Sequence, residues 1–148
     1  MNVSQIGDIV EQVVGERSSR PEVRWMADRH AMELARMLAE IADRKKAEDI
    51  VILDVTGRHS LYDLFVIVTA NGARLAQTIG DDASHHARSI KVPRHLEKAP
   101  DWVCGDFGDV VLHVFTPEAR QFYDIEHLWA DAPRVAWGRS TAATGTTG

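Results

Sequence analysis

The sequence contains one cysteine, Cys104, and lacks any apolar run close to the roughly 20 residues that a membrane-spanning helix needs. A single cysteine cannot form an internal disulfide, which is typical of proteins in a reducing compartment. Because Cys104 lies in an apolar run without a basic neighbour, we expect it to be buried rather than nucleophilic. The N-terminus has acidic residues within its apolar pattern and does not resemble a signal peptide. We therefore expect a cytoplasmic protein without a membrane segment.

The chain also lacks an excess of positive charge. It has 17 lysines and arginines against 22 aspartates and glutamates, which gives a formal net charge of −5 with neutral histidines. Proteins that bind nucleic acid by neutralising phosphates are usually basic, so direct nucleic-acid binding is disfavoured. An acidic protein can instead bind a basic protein surface. With 148 residues, 45% of them hydrophobic, the chain is long enough for one domain with a buried core.

Apolar periodicity predicts an α/β domain with a mixed sheet of four or five strands and helices packed on it. An N-terminal helix and linker would cover residues 1–20, the main domain 21–135, and a low-complexity, disordered tail 136–148. Pro21 suits the first turn of a long helix, and Pro93 fits only an edge strand. The predicted helices span about 3–14, 21–46 and 73–89 with a last turn from 117, and the predicted strands span 50–55, 64–69, 92–96, 102–106 and 110–115.

The region from residue 101 to 129 is the most informative part of the sequence. Two apolar runs flank a Gly-Asp-Phe-Gly-Asp turn at 105–109, which predicts a β-hairpin. Aromatic and charged residues at helical spacing follow it. The region has large anchoring side chains and no evident catalytic set, so it favours recognition over chemistry.

Six residues of this region are predicted to contact a partner. We expect the strand residue Trp102 to be partly exposed and Phe107, at the turn tip, to be poorly placed for the core, and exposed aromatic residues are favoured binding anchors. Asp106 and Asp109 could either bond their own turn backbone or face basic groups of a partner. The predicted contacts are Trp102, Asp106, Phe107, Asp109, Tyr123 and Glu126.

The last helix offers two interpretations. Tyr123, Glu126 and Trp129 are three residues apart and would share one helical face, which could contact a partner or pack on the sheet. Packing is the expected role of Trp129. A buried Glu126 would then need a partner, and Arg120 is the nearest candidate.

Histidines in the chain do not predict a metal site. His113, among apolar neighbours in the last strand, is expected to be half-buried with its hydrogen bonds satisfied. Asp81 and Asp82 precede His85 and His86 by one helical turn, but no third ligand is evident, so these side chains are expected to form a solvated face.

Four ordered segments resemble the ribosomal silencing factor family, also called Iojap-like proteins. The segments are 49–55, 62–69, 102–115 and 120–132, within a resemblance that runs from about Met26 to Ala132. The chain departs from the family pattern after the second strand, at 69–73, and in a shorter loop at 97–100. The residues before Met26 have no counterpart in the family pattern.

The resemblance implies a binding protein rather than an enzyme, with a nucleotidyltransferase-like fold. Family members are similar in binding ribosomal protein fourteen of the large ribosomal subunit, which blocks subunit joining and represses translation when nutrients are short. The extent of the apolar sheet also suggests a homodimer in the free state, which is similar to what relatives form, and no cofactor or metal is expected.

The alternative suggested by that fold is an enzyme acting on a nucleotide. Such chemistry needs neighbouring carboxylates for Mg²⁺ and a glycine-rich loop for phosphates. Only Asp54 and Asp106, on separate strands, could serve as the carboxylates, and the phosphate loop is missing.

Overall fold

The computed structural model describes residues 28–58 and 61–138, and the predicted N-terminal helix lies outside them. Within these residues a five-stranded mixed sheet carries two long helices and two short ones, so the predicted α/β class is confirmed. The helices are α1 (Arg29–Arg44), α2 (Ala73–Ser89), α3 (Pro117–Tyr123) and α4 (Ile125–Leu128). The strands are β1 (Glu48–Asp54), β2 (Leu64–Thr69), β3 (His95–Lys98), β4 (Trp102–Asp106) and β5 (Val110–Phe115). Across the described ranges, every helix is too short or too polar to cross a lipid bilayer.

The sheet has the strand order β1-β2-β5-β4-β3. Strands β2 and β5 run parallel at its centre, and the remaining neighbouring pairs are antiparallel. Every residue of β2 and of β5 is buried. These strands are covered on both faces, which explains why their sequences are continuously apolar rather than alternating.

The first long helix begins at Arg29, not at Pro21 as predicted. Asp28 has an extended backbone conformation, and its side chain accepts a hydrogen bond from the Ala31 amide at 2.9 Å, so it is the N-cap. The helix ends at Arg44, within the basic segment predicted to end it. An acidic N-cap and a basic last turn both favour the helix dipole.

One face of the sheet, here called the helix face, is covered by α1 and α2. Alternate residues of β5 point to this face, as predicted, and pack with alanines of both helices in one apolar cluster. Gly80 of α2 lies so close to β4 that a Cβ atom there would be 2.7 Å from Val103 Cγ1. Small residues therefore let α2 approach the sheet closely.

The opposite face, here called the elbow face, is covered by the C-terminal segment. A second cluster there is rich in aromatic residues, including Tyr62, Phe65, Trp102 and Phe115. The helices α3 and α4 pack on it and are separated by Asp124, which has a left-handed backbone conformation with φ of 46°. Residues 117–129, here called the elbow, therefore form two short helices instead of the single continuous helix that the spacing predicted.

The predicted edge strand and the predicted end of the domain also differ from the structure. The edge strand β3 lies at 95–98 instead of 92–96, beyond the proline that cannot donate a ladder hydrogen bond. At the other edge, Arg134 forms an isolated bridge with Leu53, and the buried Trp137 joins the helix-face cluster. The packed structure thus reaches beyond residue 135, while 139–148 lie outside the described residues.

Candidate functional site

The elbow exposes two large apolar side chains. Phe122 of α3 is 80% exposed and Leu128 of α4 is 74% exposed. Both belong to helices whose other apolar residues face the sheet, so their exposure is not a consequence of unpacked ends. Exposed apolar residues of this size, on a surface otherwise rich in charge, are typical of a protein-binding site.

An aromatic cluster beneath the elbow fixes its position on the sheet. The Trp102 ring lies 4.7 Å from the Phe115 ring and 4.8 Å from the Tyr123 ring, measured between centroids. Further along, the Trp129 ring meets Phe65 edge-on at 5.4 Å. Aromatic contacts of this kind add stability beyond the apolar area that they bury. Trp129 therefore has the packing role expected of it.

A half-buried ion pair joins the two helices of the elbow. Arg120 Nε lies 2.9 Å from Glu126 Oε1, and Arg120 Nη2 lies 3.1 Å from Oε2, which makes the pair bidentate. Arg120 Nη1 also donates to the Thr69 hydroxyl and to the Asp49 carbonyl. The partner predicted for Glu126 is confirmed, and the guanidinium ties α3, α4 and the ends of β1 and β2 together.

Tyr123 lies where the cluster reaches the surface. Partial burial raises the pKa of its phenol, and the Asp101 carboxylate, which accepts a hydrogen bond from it, raises the pKa further. The neutral phenol is therefore the stable form over the physiological range. Tyr123 is half-buried, and its hydroxyl donates a hydrogen bond to the Asp101 carboxylate.

His113 is fully buried rather than half-buried, and its Nε2 has no hydrogen-bond partner among the described residues, so the prediction that its hydrogen bonds are satisfied holds for only one ring nitrogen. It is 2% exposed, and its Nδ1 accepts a hydrogen bond of 3.2 Å from the Trp102 indole N–H. Burial lowers the pKa of the imidazole to about 3, so the ring is neutral and carries its proton on Nε2. Cys104, on the same face, is also buried, and burial raises the pKa of its thiol, as expected for an unreactive cysteine.

Two of the six predicted contacts are not on the surface. Trp102 is 4% exposed because Tyr123 and Phe115 cover it, and the prediction of partial exposure is wrong. Phe107 is 2% exposed, so the prediction that it is poorly placed for the core is also wrong. Its ring lies over Gly105, where a Cβ atom would approach Phe107 Cε2 to 2.7 Å. That glycine, two residues before Phe107, is the sequence signal for its burial.

The two predicted aspartates lie at the β4–β5 turn. Asp106 is half-exposed, and its Oδ1 accepts from the Gly108 amide at 3.0 Å, which is the turn-capping role considered for it. Its Oδ2 accepts from the Tyr62 hydroxyl at 2.8 Å. The half-exposed Asp109 has a carboxylate oxygen within 4.8 Å of those of Asp28 and Asp63. Neither aspartate adjoins the elbow in sequence, so the structure divides the predicted contacts between two places.

Carboxylates are frequent in and beside the elbow. Within it, Glu118 and Asp124 are exposed; beside it, Asp131 is exposed and Asp101 is half-exposed next to Tyr123. The exposed basic side chains in this region are His127 and Arg134, and Arg134 Nη2 lies 3.9 Å from Glu126 Oε2. An apolar pair within a carboxylate-rich rim suits a basic protein surface. The sequence analysis did not predict Phe122 and Leu128 as contact residues. The available signal was that both depart from the three-residue spacing of Tyr123, Glu126 and Trp129.

The carboxylates considered for nucleotide chemistry are far apart. Asp54 belongs to β1 and Asp106 to β4, with two strands between them. Adjacent strands are about 4.8 Å apart, so these side chains are separated by roughly 14 Å and cannot share one Mg²⁺ ion. Asp81 and Asp82 form surface ion pairs with Lys98 and Lys45, at 2.7 Å and 2.8 Å.

Comparison with known proteins gives a consistent result. Residues 28–147 match the family model described as "Ribosomal silencing factor during starvation". The chain is 36% identical over 104 residues to the ribosomal silencing factor RsfS of Bacillus subtilis, covering 68% of this chain and 87% of that protein. It is 32% identical over 140 residues to the chloroplastic protein Iojap of Zea mays, covering 90% of this chain and 58% of that protein.

Solved structures agree with this assignment. A Bacillus halodurans protein superposes with a TM-score of 0.60 at 33% identity, over 74% of this chain and 99% of that one. A Chromobacterium violaceum protein superposes with a TM-score of 0.65 at 27% identity, over 73% of this chain and 92% of that one.

Proposed function

The chain belongs to the ribosomal silencing factor family, a family of ribosome regulators, and from this premise we propose that it binds ribosomal protein fourteen of the large ribosomal subunit. By occupying the face where the small subunit joins, it blocks subunit association and represses translation. The observation that carries the proposal is the family match over residues 28–147, which includes the whole sheet and the elbow. It acts in the cytoplasm, without cofactor or catalysis.

The elbow is the part of the described surface that suits such a partner best. Ribosomal proteins carry an excess of basic residues, because they neutralise phosphates. Carboxylates around Phe122 and Leu128 would speed the encounter with such a surface, and the two apolar side chains would then be buried at the contact. Tyr123 contributes the exposed part of its half-buried side chain, while Glu126 fixes the geometry through Arg120.

The remaining predicted contacts take different roles in this proposal. Asp106 and Asp109, at the β4–β5 turn, are a second, acidic contact point. Trp102 acts indirectly, because its buried ring packs beneath Tyr123, and Phe107 is part of the helix-face core. The free protein is a homodimer, and if the dimer contact uses the elbow, dimerisation and ribosome binding compete.

A subunit-joining assay tests the function. Purified protein at a stoichiometric ratio to large subunits should reduce the formation of joined ribosomes and should sediment with the large subunit alone. Unchanged joining together with no co-sedimentation would show that the proposal is wrong.

Surface variants test the position of the contact. Phe122→Ser and Leu128→Ser should each weaken co-sedimentation by roughly tenfold, because each removes apolar area buried at the contact. Both side chains are exposed, so thermal stability should change little. The matched control is Ile90→Ser, which alters an exposed apolar residue on the helix face. If only Ile90→Ser weakens binding, the contact lies on the helix face instead.

A further inference from the structure

Residues 133–137, here called the strap, run along the edge of the sheet that β1 forms. The Asp54 amide donates to the Pro133 carbonyl at 2.9 Å, and the Val135 amide donates to the Ile52 carbonyl at 2.8 Å. These two bonds flank the isolated bridge between the strap and β1. The strap therefore pairs with the outer side of β1 and covers backbone groups that an edge strand exposes.

The strap contacts both faces of the sheet, because alternate residues of an extended segment point in opposite directions. Arg134 reaches the elbow, where its Nη2 lies 3.9 Å from Glu126 Oε2. Trp137 instead belongs to the helix-face cluster and is 6% exposed. Beside it, the Arg36 side chain of α1 donates to the Ala136 carbonyl at 3.2 Å. The strap leaves the elbow on one face and is anchored on the other.

The helix α4 of the elbow has little packing of its own. It contains four residues, none of them buried, and a helix of this length is not stable alone. Three residues, 130–132, separate Trp129 at its end from the strap. The chain from Trp129 to the first strap residue spans at most roughly 14 Å, so the position of the strap restricts where α4 can lie.

The anchor that Trp137 provides is apolar. Its buried Nε1 has no hydrogen-bond partner among the residues that the structure describes. The ring therefore contributes through the apolar area that it buries, and removal of the indole N–H breaks no hydrogen bond there. A phenylalanine at this position keeps an aromatic anchor, whereas an alanine removes it.

We propose that Trp137 is a positioning residue for the partner contact made by the elbow. Its ring anchors the strap in the helix-face cluster, and the strap holds α4 so that Leu128 faces the partner together with Phe122. Trp137 does not touch the partner itself, because it is buried on the opposite face of the sheet. This inference rests on the proposed function, since the contact that Trp137 orients is the one proposed for the ribosome.

Co-sedimentation of the full chain with purified large subunits tests the positioning role. Trp137→Ala should weaken binding by roughly tenfold, whereas Trp137→Phe should bind within about threefold of the parent chain. The control for stability is Ile79→Ala, which removes a buried side chain of α2, the helix that packs on β3, β4 and β5. It should lower the thermal stability at least as much as Trp137→Ala and leave binding unchanged. Equal weakening by both alanine variants, or by neither, would overturn the proposal.

Amide hydrogen exchange in the free protein tests the same link without the ribosome. Trp137→Ala should speed the exchange of the Asp54 and Val135 amides, whose hydrogen bonds hold the strap on β1. It should also speed exchange at the Ala132 amide, which bonds back to the elbow, relative to the Leu112 amide at the centre of the sheet. Faster exchange confined to Asp54 and Val135 would show that the strap opens without moving the elbow, which contradicts the positioning role.

The two experiments separate a failure of this inference from a failure of the proposed function. If the parent chain does not bind large subunits, the proposed function is wrong, and the exchange rates still decide whether the strap holds the elbow. If the parent chain binds and Trp137→Ala binds equally well, only the positioning role is wrong. Should Trp137→Ala fail to fold, Val135→Pro replaces it, because it removes the amide that donates to the Ile52 carbonyl. The same loss of binding and the same faster exchange at Asp54 and Ala132 are then expected.

Discussion

The two faces of the sheet are closed in different ways. On the helix face, two long helices pack alanines and Gly80 against aliphatic strand residues, and the described side chains of this cluster are apolar. On the elbow face, two short helices are held by stacked and edge-on aromatic rings, an indole–imidazole hydrogen bond and a bidentate ion pair. Short helices have little stability of their own, so specific contacts must hold them. The difference shows how a small element can keep apolar residues exposed for recognition without unfolding.

The largest difference in stability is expected at Trp102, in the centre of the elbow face. Trp102→Ala removes a buried ring that touches Phe115, Tyr123 and His113, and it should lower the free energy of unfolding by about 3–5 kcal/mol. Chemical denaturation measures this. Leu128→Ala, an exposed residue of the same face, should change stability by less than about 0.5 kcal/mol. A small loss for Trp102→Ala would mean that the aromatic cluster does not support the elbow.

The ion pair gives the next largest effect. Arg120→Met leaves the Glu126 carboxylate without its guanidinium partner and removes the donor to Thr69, so it should cost about 2 kcal/mol. Lys98→Met breaks the exposed pair with Asp81 and should cost less than about 1 kcal/mol. Equal losses in denaturant unfolding would contradict the special role of the elbow pair.

The buried imidazole should make the elbow face sensitive to acid. The unfolded chain binds a proton on His113 near the ordinary pKa of 6.5, whereas the folded chain does so only near 3. Stability from this group is therefore complete above pH 6.5 and falls by up to about 1.4 kcal/mol per pH unit below it. Unfolding measured from pH 7 to 4 should show a shallower loss for His113→Gln than for the parent chain.

The smallest effect concerns the close packing of the helix face. Gly80→Ala places a methyl group against Val103 Cγ1, and the gain in helix propensity offsets only part of the strain, so we expect a loss of about 1 kcal/mol. Ser84→Ala, one turn later in α2, should be neutral or slightly stabilising. Thermal unfolding distinguishes them, and a stabilising Gly80→Ala would show that α2 can move away from β4.

Burial could be predicted from sequence where it depends on neighbours in the same strand. The alternation of Val110, Leu112 and Val114 with Val111, His113 and Phe115 follows from the two-residue repeat of a strand. The burial of Trp102 could not be predicted in this way, because Tyr123, which covers it, belongs to another element. The break at Asp124 was also hidden, since an aspartate in the left-handed conformation looks like any other polar helix residue.

The sequence by itself determined the fold class, the order of the strands along the chain, the Arg120–Glu126 pairing candidate and the family, because each depends on local periodicity or on ordered motifs. Only the tertiary structure decided which aromatic residues are exposed. Phe122 and Leu128 remain exposed because the turn at Asp124 orients the other apolar residues of the elbow towards the sheet. Trp102 and Phe107 are buried because residues from other parts of the fold cover them. The exposure of a side chain depends on residues that are distant in sequence and pack against it, and the local sequence pattern does not identify those residues.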